Sequence, residues 1–181
     1  AWGGVGVWSV PGDVRALLLL SFGAGGTLEA LAAAASPTAM TVAERLTYCA
    51  QTLQGLQHIA SIRVVHRDVA ARNVLLDSTM VCKISDFGMA TALQEDGKEY
   101  IRANEALAMR WAAPEVITAG KYSVQSDVWA AGVLMYEVFA CGGLPYADVF
   151  DHLTETSEFV KQGGKLRRPD PPPRPLSGHR A

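Results

Sequence analysis

No lysine stands before Lys83 in this chain of 181 residues. Cysteine is scarce as well: Cys49, Cys82 and Cys141 are odd in number, lie far apart and form no Cys-x-x-Cys. That spacing excludes a disulfide framework and argues against a zinc site, and it fits a reducing compartment. Charge of one sign is not in excess, with 16 basic and 18 acidic residues, a net charge of −2 and a pI of about 6.1. The chain therefore carries no electrostatic footprint for nucleic acid or an anionic membrane. Long hydrophobic runs are missing too. Val128 to Tyr136 is uncharged and largely apolar, but Glu137 interrupts it and Gly142-Gly143 end it. This is short of the roughly 18 residues that cross a bilayer, and it predicts a helix buried in protein. The opening residues have no basic start followed by an apolar core, so a secretory leader is not expected. The first residue is not Met, from which we expect a piece of a longer protein.

What is present is apolar. Hydrophobic residues make up 49% of the chain and charged residues 19%, which excludes disorder as the main state. A chain of this size buries about 70% of its unfolded surface, so one domain with a substantial core is expected. The core is built with unusually small side chains, since 27 residues are alanine.

The pattern along the chain predicts helices mixed with short strands. Val14–Phe22 is a short apolar run between Pro11-Gly12 and Gly23, as in a buried strand. Gly25-Gly26-Thr27 opens a helix through Ala35, ended by Ser36-Pro37. Thr41 and Glu44 form a capping box for a helix reaching about Ala60, with Val42, Leu46, Cys49, Leu53 and Leu56 as its apolar stripe. Val74–Leu76 and Val81–Ile84, separated by Asp77-Ser78-Thr79, predict a small hairpin. Residues 91–104 have no sustained period and read as a long loop, and loops of that length are usually functional. A helix from Asp127 to about Ala140 follows, with Asp127 able to cap it. Residues 166–181 hold five of the nine prolines and read as an extended tail.

Three motifs carry the chemistry. His66-Arg67-Asp68-Val69-Ala70-Ala71-Arg72-Asn73 lies between the long helix and the hairpin, Asp86-Phe87-Gly88 follows the hairpin, and Ala113-Pro114-Glu115 closes the loop beyond. In this order and spacing they resemble the catalytic lobe of protein kinases, from about Val5 to Leu166. The resemblance implies a protein-kinase-like α+β fold: a mainly α-helical C-terminal lobe with a short β remnant of the N-terminal lobe. It divides the chain into a strand remnant and hinge at 1–23, the lobe itself at 24–165 and the tail at 166–181. It also implies ATP and Mg²⁺ as cofactors. Phosphoryl transfer has a loose transition state, so catalysis is positioning and charge neutralisation. By resemblance Asp68 accepts the proton of the substrate hydroxyl, help worth about 10²–10⁴ in rate. Asn73 and Asp86 hold Mg²⁺ with hard oxygen ligands.

Ala70 and Arg72 indicate the substrate class. Serine/threonine kinases place a lysine two residues after the catalytic aspartate; here that position is Ala70 and the cation stands at Arg72, as in tyrosine kinases. Arg110-Trp111-Ala112-Ala113-Pro114-Glu115 is similar to the tyrosine-kinase docking segment, although Ala108 stands where proline is usual. The implied partners are proteins bearing tyrosine, in a cytosolic kinase or the cytoplasmic part of a receptor. The stretch from Val74 to Ala90 is most similar to Eph-type receptor kinases. Tyr100 matches the switch tyrosine, whose phosphate pairs with Arg67. Asp127 is implied to accept hydrogen bonds from the backbone around His66 and Arg67, and Glu115 has a structural role. Leu20-Ser21-Phe22-Gly23 matches the hinge that binds adenine, with Leu75 as the pocket floor; plain core burial accounts equally well for Leu20 and Leu75. Trp111 and Trp129 read as core packing. His58, His152 and His179 have no partners at metal-ligand spacing.

Parts of the pattern are missing. With no lysine before Lys83, the strand lysine that grips the nucleotide phosphates is not in the chain, and Gly3-Gly4-Val5-Gly6 lacks the spacing of a phosphate-covering loop. Two explanations stand: an incomplete piece of a working tyrosine kinase, inactive by itself, or a catalytically inactive kinase-like interaction module. A further partner class comes from Pro169-Asp170-Pro171-Pro172-Pro173-Arg174, a Pro-x-x-Pro-x-Arg ligand pattern for polyproline-binding domains, or else a proline-rich turn or end.

Overall fold

Thr41 opens the longest helix. Its hydroxyl accepts from Glu44 N at 3.2 Å while Glu44 Oε2 accepts from Thr41 N at 2.7 Å, the expected capping box. Those bonds also hold the Glu44 carboxyl below its ordinary pKa, the backbone bond contributing most. The computed structural model describes residues 25–34, 40–93, 100–101, 108–147 and 152–169, except the side chains of 100 and 101. Five helices run through these residues: α1 (Leu28–Ala34), α2 (Val42–Ser61), α3 (Pro114–Ala119), α4 (Val124–Phe139) and α5 (Leu153–Lys161). Six short strands accompany them: β1 (Val64–Val65), β2 (Val74–Leu76), β3 (Cys82–Ile84), β4 (Thr91–Ala92), β5 (Tyr100–Ile101) and β6 (Lys121–Tyr122). They pair antiparallel as β1–β4, β2–β3 and β5–β6.

The main core lies between α1, α2, α4 and the β2–β3 hairpin, built on Leu28, Cys49, Val74, Leu76, Leu134 and Val138. A second cluster joins Val65, Ala112, Ala113, Val116 and Tyr122. Burying side chains of this size contributes about 1.5–3 kcal/mol each.

The hairpin is the predicted one, with Leu75 opposite Lys83. Three expectations change. First, the α2 stripe is right only in part: Cys49 is buried and Leu56 packs on the core, but Val42 (62%), Leu46 (54%) and Leu53 (39%) are exposed, and the buried face also carries Arg45, Tyr48, Thr52 and Ile59. The centre of that face is offset by about 75° from the expected stripe, and it buries at little cost because its polar groups are satisfied. Arg45 donates to the carbonyls of Val138 and Met40, and Thr52 donates to Tyr48 O at 2.8 Å. Second, Ser123, not Asp127, caps α4: its hydroxyl accepts from Ser126 N at 3.3 Å, and the cap stands four residues earlier than expected. Third, the stretch 91–104 is not loop throughout, because β4 and β5 tie it to β1 and β6. α5 was not predicted from the sequence; its sparse apolar face packs on α3 and the turn Met109–Trp111. Segment 1–23, with the hinge residues Leu20, Ser21, Phe22 and Gly23, lies outside the described residues, as does the tail from 170 onward.

Candidate active site

The catalytic-loop motif occupies the turn between β1 and β2. Its first half is fixed from below by α4. Asp127 Oδ2 accepts from His66 N at 2.7 Å and Oδ1 accepts from Arg67 N at 3.0 Å, the bonds expected of it. This grip holds Arg67 at φ 71°, a left-handed conformation that costs a non-glycine residue free energy unless its surroundings enforce it. Burial pushes the Asp127 carboxyl above its ordinary value, and these two bonds oppose that shift.

His66 is fully buried and neutral. Its Nε2 donates to Ser85 O at 3.0 Å and its Nδ1 accepts from Asp68 N at 3.3 Å, so both ring nitrogens are used without a second proton. Burial depresses its pKa accordingly. The Phe87 ring meets it edge-on at 4.8 Å. Ser85 also donates twice to Asn73 O, through N and Oγ at 2.9 Å each. His66 and Ser85 thereby clamp the start of Asp86-Phe87-Gly88 to the catalytic loop. Through Asp68 N on one ring nitrogen and Ser85 O on the other, the His66 ring brings the segments that carry Asp68 and Asp86 together.

The Asp68 carboxylate is held from two sides. Arg72 donates to Oδ1, and Asn73 Nδ2 donates to Oδ2 at 2.7 Å and to Asp68 O at 2.8 Å. The 3-10 turn Ala71–Asn73 puts these residues in reach. Both amide hydrogens of Asn73 are thus committed, which leaves its Oδ1 as a pure acceptor. Asp86 is exposed, at φ 59°, and its carboxylate accepts a long 3.4 Å bond from Gly88 N. Asn73 Oδ1 and the Asp86 carboxylate are hard oxygen donors of the kind that would suit Mg²⁺. Among the described residues no group of three or more His, Cys, Asp or Glu could hold a metal by itself.

Arg67 is half-buried and engaged by its neighbours. Nη1 donates to Met89 O at 3.0 Å and Thr91 Oγ1 at 3.4 Å, and the guanidinium stacks over the Tyr122 ring at 4.2 Å. β5 pairs Tyr100 with Tyr122, so the backbone of Tyr100 runs beside the strand that carries this ring. Leu75 is half-buried in β2, bridged to Thr27. Glu115 lies in the first turn of α3. A cleft open to solvent is lined by Arg67, Asp68, Ala108, Trp111, Tyr122 and Asp127.

Sequence reasoning missed two residues here. Trp111 is not simply core: Arg72 stacks on its ring at 4.7 Å and its Nε1 donates to Glu137 Oε2 at 2.9 Å. The same Glu137 oxygen accepts from Ala71 N at 3.0 Å. Its signal was a lone charge in an apolar helix, which must find partners when buried. Trp129, by contrast, does pack in the second cluster.

No described helix is long and apolar enough to cross a membrane. A family model described as protein tyrosine and serine/threonine kinase matches residues 5–178. The chain is 40% identical over 125 residues to the macrophage colony-stimulating factor 1 receptor of Danio rerio, covering 69% of this chain and 13% of the receptor. It is 38% identical over 137 residues to the megakaryocyte-associated tyrosine-protein kinase of Rattus norvegicus, 76% of this chain and 28% of that protein. With the tyrosine-protein kinase Srms of Homo sapiens it shares 37% over 144 residues, 80% of this chain and 29% of Srms. The chain thus spans less than a third of the length of these relatives. Matched motifs, a helical lobe and a family model spanning nearly the whole sequence converge: this chain belongs to the protein tyrosine and serine/threonine kinase family.

Proposed function

We propose that this chain is the phosphate-transferring lobe of a protein tyrosine kinase, which moves the γ-phosphate of ATP to tyrosine on protein substrates in the cytoplasm. The observation that carries the reading is the Asp68 carboxylate, steadied by Arg72 on one oxygen and Asn73 on the other. In that setting Asp68 orients the tyrosyl hydroxyl and takes its proton as the new O–P bond forms and the bond to the β-phosphate oxygen breaks. Arg72 offsets charge on the transferred group; a guanidinium suits phosphate geometry. Magnesium, when bound through Asn73 Oδ1 and Asp86, supplies charge neutralisation between the phosphates. Leu20 to Gly23 and Leu75 would receive the adenine, and Tyr100 would act as the phosphorylation switch, with Arg67 near its strand partner. The polyproline-binding partner for 169–174 rests on the sequence pattern alone.

The lysine that grips the nucleotide is not among these residues, so the chain alone should transfer phosphate no faster than its Asp68→Asn variant; misplacing the γ-phosphate by about 1 Å can cost 10²-fold. Joined to a kinase small lobe that supplies a glycine loop and strand lysine, it should label a tyrosine peptide in an Asp68-dependent way. Labelling by the chain alone at a kinase-typical rate of about 1–100 s⁻¹, or labelling of the fusion that survives Asp68→Asn, would overturn the reading.

A further inference from the structure

Glu137 sits ten residues beyond Asp127 on α4, 4% exposed, and one of its oxygens accepts two hydrogen bonds from different parts of the site. The first donor is the Ala71 backbone, inside the catalytic loop. The second is the indole of Trp111, from the docking segment. Trp111 in turn offers its ring to the Arg72 guanidinium, and Arg72 grips Asp68. The route from Glu137 to the Asp68 carboxylate is therefore an unbroken series of contacts: carboxylate, indole, guanidinium, carboxylate.

We propose that Glu137 and Trp111 are positioning residues that set where the Arg72 guanidinium stands over Asp68, and so couple the docking segment to the catalytic loop. The proposal rests on the tyrosine-kinase reading for its consequence, not for its geometry. Arg72 has no other rigid support among the contacts described: its side chain is about one third exposed, and an exposed ion pair by itself fixes a long side chain poorly. A ring held flat by a buried acceptor removes that freedom. Because both donors share one oxygen, a substitution that displaces this oxygen releases the indole and the loop together. Burial pushes the Glu137 carboxyl above its ordinary range, and the bonds from Trp111 and Ala71, then the Arg72 charge, oppose that shift. Glu137 bonds to Ala71 and Trp111, and reaches Arg72 through the Trp111 ring.

The test uses three variants and two readouts. Glu137→Gln keeps a carbonyl oxygen that can accept both bonds; Glu137→Met keeps the length and removes the acceptor; Trp111→Phe keeps an aromatic ring and removes the donor. In the 181-residue chain, the Arg72 guanidinium signals in NMR should be shifted by the Trp111 ring. Glu137→Met should move them to free-arginine positions, and Glu137→Gln should leave them in place. In the chain joined to a small lobe, Glu137→Met and Trp111→Phe should each lower kcat on a tyrosine peptide by about 10–100-fold with KM for ATP unchanged, the scale expected for misplacement of a catalytic group. Their combination should be no worse than the more damaging single change, because they break one series of contacts. Unmoved Arg72 signals in Glu137→Met and Trp111→Phe, or fully additive losses in kcat, would overturn the proposal. A fusion whose activity ignores Asp68→Asn would instead refute the enzymatic reading, and the NMR comparison would still decide the positioning role.

Discussion

Replacing Asp127 by asparagine should cost this chain about 2–3 kcal/mol of stability. The two bonds that Asp127 accepts, from His66 N and Arg67 N, are buried and charge-assisted. Such bonds contribute about 1.5–3 kcal/mol each. Asparagine keeps one oxygen of the two, so one bond survives in weaker, neutral form. The other position becomes an NH₂ that faces a backbone N–H, two donors with no acceptor between them. Against this loss stands a gain: the buried charge is gone, and the raised pKa of Asp127 says that its burial is unfavourable. The balance stays negative because the loop also loses what holds Arg67 at φ 71°. For a domain of this size about 2–4 °C of melting temperature corresponds to each kcal/mol, so a fall of about 4–12 °C is expected. Urea denaturation at neutral pH measures it, and an unchanged slope would assign the shift to stability rather than to the denatured state. Asp127→Ala should cost more, because both N–H groups are stranded. An asparagine variant within about 0.5 kcal/mol of the parent, the range of ordinary surface changes, would refute the reasoning.

Two further outcomes can be checked on the same chain. Gly132 lies exposed inside α4, and a Cβ built there meets nothing within 4 Å, so Gly132→Ala should raise stability by about 0.5–1 kcal/mol; an unchanged or lower urea midpoint would contradict it. Burial holds His66 below its ordinary pKa of 6.5, so the unfolded chain takes up a proton that the folded one refuses as pH falls through that value. Its contribution is complete above 6.5 and is lost on acidification; Asp127 and Glu137, raised above 3.8 and 4.5, act in the opposite sense, since the native state there binds the extra proton. Comparing unfolding of the parent with His66→Gln from pH 7.5 to 5.5 isolates the histidine, and the parent should lose stability more steeply.

Legibility in the sequence followed locality. Thr41 and Glu44 are three residues apart, and the turn Asp77-Ser78-Thr79 sits inside its hairpin, so both could be read from neighbours. His66 to Asn73 and Asp86 to Gly88 were likewise contiguous, and the fold brings them together as the motifs imply. What failed was longer-range. Val42, Leu46 and Leu53 of the α2 stripe were misassigned because residues 45, 48 and 52 have the same helical spacing around the shared Cys49, and only packing against α4 shows that Arg45 can be buried by donating to Val138 O. Glu137 looked like the end of an apolar run; its partners Ala71 and Trp111 lie 66 and 26 positions away. Trp111 looked like core for the same reason. α5 carries too few apolar residues to announce itself before α3 is there to receive it.

The spacing of Asp127 and Glu137 makes α4 a ruler for the catalytic loop. Ten residues of helix separate them by about 15 Å, and they seize opposite ends of one loop, His66 and Arg67 at the start and Ala71 further on. Adding or deleting a single residue between them would swing one carboxylate by about 100° and slide it 1.5 Å, enough to let go of its end. Substitutions on the outward side, at Val128 or Gly132, leave that gauge untouched. The interval is therefore tolerant in letters and intolerant in length.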